Sequence, residues 1–220
     1  MYDANFETGE LFIYDEIGPA WMGMVGAETV AESLSHMSGR RVTVRLNTPG
    51  GSVDEGIAIF NALKRHPGGV DVIVDSLAAS MGSYLLQAGV RRAIANNSMV
   101  MIHDPWSIAM GNAEELRKEA DILDKYRDRM VPEYANRSSK TVAEIEELLS
   151  AETWMVGQEI IDMGFADEME GEAVEPVKIA KGRYRNTPKS ILRDVLPGSK
   201  TPYPMRREAA KLRARSMKTA

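Results

Sequence analysis

Apolar and polar positions alternate with two different periods along this chain. GELFIYDEI, residues 9–17, is rich in β-branched and aromatic side chains from Leu11 to Ile17 and predicts a first strand. Val30, Leu34 and Met37 form one apolar stripe at helical spacing, so residues 26–37 read as a helix. In RRVTVRLN, residues 40–47, Val42, Val44 and Leu46 take every second position, the period of a strand. The sharp TPGGS turn follows, and Ile57, Phe60 and Leu63 predict a helix through DEGIAIFNALKR. Pro67-Gly68-Gly69 ends it, and VDVIVD at 70–75 predicts another short strand. LAASMGSYLLQAG starts a small-residue helix at or near Ser80, and SMVMI at 98–102 is a strand that delivers His103. This alternation points to an α/β fold, with parallel strands joined by helical crossovers.

After Pro105 the texture changes. Residues 112–137 predict a long charged helix, with Leu116, Leu123, Tyr126 and Met130 among many charged positions. Asn112 and Glu115 have capping-box spacing, and a break is required or tolerated at Pro132. Thr141, with Glu144 three residues on, caps a second helix through Leu149; a third, 157–163, stops at Gly164. The long helix has too few large apolar residues to be buried all round. Its apolar face covers its own body or lies between two subunits, and the sequence favours neither.

Composition narrows the chemistry. The 220 residues include no Cys, which excludes a disulfide framework, a thiol nucleophile and a thiolate metal site. Apolar runs are shorter than a membrane helix needs, and the opening MYDANFETGELFIYDEI does not resemble a secretory leader, so a cytoplasmic protein is expected. Charge is divided unevenly. Residues 178–220 carry thirteen Lys or Arg against Asp194 and Glu208, whereas residues 1–177 hold fourteen basic and thirty acidic residues. The basic tail reads as an irregular extension followed by a short helix in MRREAAKLRARSMK. Weak nucleic-acid contact, contact with the acidic body of a neighbouring subunit, and disorder are its alternatives.

Ser80 lies where a strand gives way to a helix, among Gly and Ala. Such a junction presents a hydroxyl at a helix N-terminus, near backbone N–H groups able to receive a developing oxyanion. The competing reading is a helix cap or close-packing residue. His103 ends an apolar strand, and an imidazole is suited to take a serine proton near neutral pH; a hydrogen-bonded strand-end histidine is the alternative. His36 and His66 read as surface residues. Asp104 neighbours His103 but points to the other side of a strand. Glu152, Asp162, Asp167 and carboxylates of the long helix stay open as a third group. Gly50-Gly51 offers a backbone that can turn tightly beside the serine, without the Gly-Lys-Ser/Thr of a phosphate loop. Three scattered histidines and no HExxH give no metal case, and no cofactor is expected.

In this order, RLNTPGGSVDEGIAIFNALKR, LAASMGSYLLQAG, NNSMVMIHDPW and LLSAETWMVGQEIIDMGFADEM resemble the proteolytic subunit of the Clp protease, a ClpP-like serine peptidase of S14 type. They are more closely similar to its phage and prophage relatives, the head-maturation proteases. The resemblance covers about residues 10–170. It implies a ClpP/crotonase-like core of repeated β-β-α units in a superhelix, with a protruding long helix used in oligomer assembly. Residues 1–170 would be the peptidase domain and 171–220 a basic extension, partly irregular or helical.

Position by position, the resemblance makes Ser80 the nucleophile, His103 the general base and Glu152 the third member, where the family usually has aspartate. The N–H groups of Gly51 and Met81 match its oxyanion-stabilising positions. The implied activity is a serine endopeptidase working by an acyl-enzyme within homo-oligomeric rings. Polypeptides are its substrates, with capsid or scaffold proteins implied for head maturation. An unfoldase ATPase partner stays open, because only about ten residues precede the first strand. The glutamate and the basic tail motivate an alternative, a catalytically weak or inactive structural ring protein of the same fold. A second alternative, an acyl-CoA-processing enzyme of the crotonase class, is disfavoured by the ordered Ser80 and His103 blocks.

Overall fold

The computed structural model describes residues 2–172 and 174–193. Its strands are β1 (Tyr2–Asn5), β2 (Glu10–Ile13), β3 (Val42–Thr48), β4 (Val70–Ala79), β5 (Arg91–Ile94), β6 (Met99–Ile102), β7 (Thr153–Val156), β8 (Glu168–Met169), β9 (Ile179–Ala180) and β10 (Leu192–Arg193). The helices are α1 (Ala27–His36), α2 (Val53–Arg65), α3 (Met81–Leu86), α4 (Ala113–Ser138), α5 (Val142–Ala151) and α6 (Gln158–Asp162). Strands β1 to β8 form one mixed sheet in which β2, β3, β4, β5 and β8 run parallel to their neighbours.

The period-two pattern of β3 is a burial pattern. Val42, Val44 and Leu46 are buried, with Thr43 and Arg45 half-buried between them. Helices α1, α2 and α3 bury Val30, Leu34, Ile57, Phe60, Leu63 and Leu85 in the same core. Ser52 caps α2 through the Glu55 N–H, with Asp54 and Glu55 in the first turn and Lys64 and Arg65 in the last, the order the helix dipole favours.

Strand β4 is longer than the expected 70–75 because it serves two partners in turn. Asp71–Val74 pair with Arg91–Ile94 of β5, and Leu77–Ala79 pair with Met99–Met101 of β6. Buried Ser98 sits at the fork and donates to the Val74 carbonyl at 2.8 Å. The end of β4 is apolar on both faces. Ala78 and Val100 face the main core, whereas Leu77, Ala79 and Met101 join Ile179, Tyr184 and Ile191 in a second cluster. Alternation along the strands produces this two-sided demand for cover.

Three local expectations change. An additional strand, β1, pairs antiparallel with β2, and β2 stops at Ile13. Helix α4 runs through Pro132 without a break and ends at Ser139, which adopts φ 58°. His66 is buried, not a surface residue, because its Nε2 meets the Arg40 carbonyl at 2.8 Å. The capping boxes Asn112–Glu115 and Thr141–Glu144 both form. Only the C-terminal part of α4 enters the core, through Met130, Val131 and Tyr134, while Leu116 and Ile122 are exposed. Residues 174–193 are neither fully irregular nor helical: β9 and β10 pair in parallel and a 3-10 turn spans Lys189–Ile191. The expected helix in MRREAAKLRARSMK lies outside the described residues. Among the described residues no helix is long and apolar enough to cross a membrane.

Candidate active site

Ser80 follows β4 directly and holds φ 53°, ψ −122°, a backbone state that L side chains rarely adopt. Strain of this kind costs about 1–3 kcal/mol and persists only where the surroundings over-determine it. They do so here. The Ser80 N–H donates to the Met101 carbonyl at 2.8 Å, and its carbonyl accepts from Ser83 N–H at 2.9 Å and Ser83 Oγ at 2.6 Å. Ser83 Oγ also meets the buried Tyr134 hydroxyl at 2.8 Å, so α4 braces the turn from behind. Although Ser80 occupies the N-cap position of α3, its side chain makes no capping hydrogen bond. Its Oγ lies 2.8 Å from His103 Nε2 instead.

Sheet register accounts for that meeting. Ala79 of β4 stands beside Met101 of β6 in a parallel pair, so the residues leaving the two strand ends emerge together. The antiparallel β6–β7 pair does the same on the other side. Ile102 lies opposite Thr153, and one step further the register sets His103 opposite Glu152. Glu152 caps α5 at φ 54°, and the residue is buried.

The Gly-rich turn supplies the facing wall. Ile17 bridges Gly51 in parallel fashion, its N–H donating to the Gly50 carbonyl at 2.9 Å and its carbonyl accepting from Ser52 N–H at 2.9 Å. Such a bridge uses the groups flanking Gly51 and turns its own N–H to the opposite side. A Cβ on Gly50 (φ 82°) would stand 2.5 Å from the Ala79 carbonyl oxygen and 2.7 Å from Ser80 Cβ, so the turn touches the serine backbone. Met81 opens α3, where the first N–H groups have no intrahelical acceptor. A cavity of about 170 Å³ is bounded by Gly51, Ser80, His103, Trp106, Arg183 and Tyr184, among others.

The Clp protease family model matches residues 2–172. This chain belongs to the Clp protease family. Its relatives include the ATP-dependent Clp protease proteolytic subunit 1 of Protochlamydia amoebophila, 34% identical over 135 residues, which cover 60% of this chain and 66% of that protein. Subunit 1 of Leifsonia xyli is 30% identical over 139 residues, 62% of this chain and 71% of that one. Subunit 2 of Thermobifida fusca is 33% identical over 132 residues, 59% of this chain and 65% of that one. The chain thus spans about two thirds of the length of these relatives.

In this Clp family member, a segment beyond the matched residues lies over the cleft. Residues 181–187 form a loop rooted by the β9–β10 pair and by buried Ile179 and Ile191. Tyr184 enters deepest. Its hydroxyl donates to the Pro49 carbonyl at 2.5 Å, and its ring meets the His103 imidazole edge-on with centroids 5.0 Å apart. The main-chain N–H groups of Arg185 and Asn186 donate to the Glu152 carboxylate at 2.8 Å and 2.5 Å, and Trp154 Nε1 adds a third bond at 3.3 Å. Glu152 therefore faces His103 by register but spends its hydrogen-bonding oxygens on the loop.

Burial pushes the His103 imidazole down to about 4; the Glu152 charge opposes this, and the Arg183 and Arg185 cations add to it. A neutral imidazole near pH 7 can accept a proton, as a general base must. Burial also raises Tyr184, which keeps its hydroxyl protonated and able to donate.

The other candidate carboxylates are engaged elsewhere. Asp167 pairs with buried Arg92, whose Nε lies 3.1 Å from its Oδ1. Asp162 accepts from Gln158 at 2.9 Å on the exposed side of α6. Asp104 anchors its N–H on the Leu149 carbonyl at 3.2 Å, and burial raises its carboxyl. Among the described residues no cluster of three or more His, Asp or Glu can hold a metal ion. Pattern reading missed Glu16, Ser83, Tyr134, Arg183 and Tyr184 as neighbours of the site. For the last two, the signal was KGRYRN itself, an aromatic residue enclosed by cations in an otherwise polar tail.

Proposed function

We propose that the chain is a serine endopeptidase that hydrolyses peptide bonds through an acyl-enzyme, with Ser80 as nucleophile, His103 as general base and Glu152 as third member. The observation that carries this reading is the 2.8 Å contact between Ser80 Oγ and His103 Nε2, made by a serine at strained φ beside a glycine wall.

In the proposed cycle, His103 Nε2 takes the hydroxyl proton as Ser80 Oγ bonds to the substrate carbonyl carbon. The N–H groups of Gly51 and Met81 receive the oxyanion. Collapse breaks the C–N bond, and the imidazolium gives its proton to the leaving amine. Water, deprotonated by the same imidazole, then releases the acid and frees the serine. Glu152 steadies the imidazolium charge from across β6–β7. A fluorophosphonate probe that labels Ser80 in the wild-type chain, and fails to label Ser80→Ala of equal thermal stability, supports the assignment; equal labelling of both chains refutes it.

The finer readings rest on the family and on motif resemblance. Ring assembly follows from kinship to Clp proteolytic subunits, and the exposed N-terminal part of α4 is the natural contact between rings. The strand–helix–strand units fit a crotonase-like superhelical repeat. The TPGG, AASMG and MIHDP blocks support a head-maturation role, with capsid or scaffold proteins as substrates. Cytoplasmic location, an unfoldase partner, tail contact with nucleic acid and the division at residue 170 are further readings of the same kind. One observation favours the rival structural ring protein: Glu152 is bonded to the loop over the cleft. Probe labelling separates the two.

A further inference from the structure

The loop over the cleft makes the contacts that an incoming peptide needs. Tyr184 leans on His103, the Arg185 and Asn186 N–H groups hold Glu152, and the Arg183 guanidinium forms a 2.7 Å ion pair with Glu16. Glu16 and Arg183 line the same cavity as Ser80, His103 and Gly51. Both side chains are largely withdrawn from solvent, at 15% and 16% exposure. Glu16 is also fixed to the reacting centre by the main chain. It precedes Ile17, the residue that bridges Gly51, and its carbonyl accepts from Val25 N–H at 2.9 Å.

We propose that Glu16 selects peptides with a basic side chain beside the scissile bond, and that Arg183 occupies that place in cis while residues 181–187 cover the cleft. The inference rests on the peptidase reading and names the substrate class of that site. A half-desolvated carboxylate strongly favours a cation as its neighbour. Lifting the loop removes Arg183 and leaves Glu16 facing the cavity that a substrate enters. A Lys or Arg side chain then replaces the lost cation, whereas Leu leaves the carboxylate to water and Glu repels it. Ile179 and Ile191 stay buried against Leu77, Ala79 and Met101, so the loop can lift without exposing that cluster.

The test uses the full chain and fluorogenic peptides identical except for Arg, Leu or Glu scanned next to the cleaved bond. Arg183→Ala is expected to raise kcat/KM for the Arg peptide, giving an Arg-over-Leu ratio of about tenfold to a hundredfold, the range for one charge-assisted hydrogen bond. Adding Glu16→Gln to that variant is expected to bring the ratio close to one. The exchanged pair, Glu16→Arg with Arg183→Glu, is expected to favour the Glu peptide. Fluorophosphonate labelling of Ser80 is followed in the same samples. Labelling with an Arg-over-Leu ratio that Glu16→Gln leaves unchanged overturns the role of Glu16 alone. No labelling in wild type or Arg183→Ala overturns the peptidase reading and this inference with it. Calorimetry on the Ser80→Ala/Arg183→Ala chain gives a reading independent of turnover: equal affinity for the Arg and Leu peptides also overturns the proposal.

Discussion

Glu152 and His103 lie opposite each other one step beyond the last pair of β6 and β7, yet the Glu152 carboxylate takes its hydrogen bonds from the main chain of Arg185 and Asn186 and from Trp154. The same carboxylate thus has two roles in view, charge partner of a buried imidazole and anchor of a covering loop. Glutamate suits the second, since its extra methylene extends the oxygens past the strand end. The predictions below turn on whether these roles can be separated.

Ser80→Ala should abolish probe labelling and lower peptide hydrolysis by at least about 10³-fold, as loss of a nucleophile does in acyl-transfer enzymes. Thermal stability should hold or rise, because the Oγ makes no capping bond and only its contact with His103 is lost. A matched fall in melting temperature would assign the residue to structure.

Glu152→Ala should release the loop. Two buried or half-buried N–H groups lose their acceptor, which costs about 1–3 kcal/mol each when no water replaces it. Limited proteolysis should then cut within residues 181–187 while residues 2–172 resist. Hydrolysis should also fall, because His103 loses its nearest raising charge. Unchanged protease resistance would show that the loop is held by Tyr184 and the cluster beneath it.

The acid limb of labelling should report His103. Its folded pKa is depressed to about 4 from an ordinary 6.5, so the imidazole stays neutral and competent until the pH falls well below the usual histidine range. Removing the cations in Arg183→Ala/Arg185→Ala should move that limb upward. The sign for stability follows by linkage: between the two values the unfolded chain binds more protons, so stability rises with pH across this window and is lost as pH falls through it. A labelling limb at an ordinary histidine pKa in wild type would show that His103 is solvated in the working form.

Tyr184→Phe removes the donor to the Pro49 carbonyl and should cost about 1 kcal/mol of stability, with faster labelling of Ser80. Tyr184→Ala should cost more, about 3–5 kcal/mol by analogy with truncation of other buried aromatic residues. Slower labelling of a folded Tyr184→Phe chain would mean that the ring positions His103 for reaction instead of covering it.

Gly51→Ala should be severe. At φ 152° the added Cβ would stand 1.9 Å from the Ile17 carbonyl oxygen, a contact that only backbone movement relieves. That movement displaces the bridge fixing both Glu16 and the Gly51 N–H. The expected result is a lower melting temperature together with labelling reduced by about 10²-fold or more, as for loss of one oxyanion donor.

Much was legible in the chain alone, for reasons that are local. The alternation of Val42, Val44 and Leu46, the stripe of Ile57, Phe60 and Leu63, and the two capping boxes depend on periods and on residues three or four positions apart. Ser80 and His103 were legible as candidates because each ends a strand, and their order with TPGG gave the resemblance. The third group was not chosen by spacing, because β6 and β7 are separated by all of α4 and α5. His66 was misread because burial of a turn histidine depends on the Arg40 carbonyl, which another segment supplies.

The one-dimensional pattern determined which segments become strands and helices, and which few side chains have the chemistry for acyl transfer. Tertiary structure alone decided that β4 forks between β5 and β6, that one register aligns Ser80, His103 and Glu152, and that residues 181–187 return over them. Periodicity records the face a residue presents to its own element. Pairing partners and returning loops are selected by the free energy of burying distant surfaces together, here Leu77, Ala79 and Met101 beneath Ile179, Tyr184 and Ile191, and no local period carries that information.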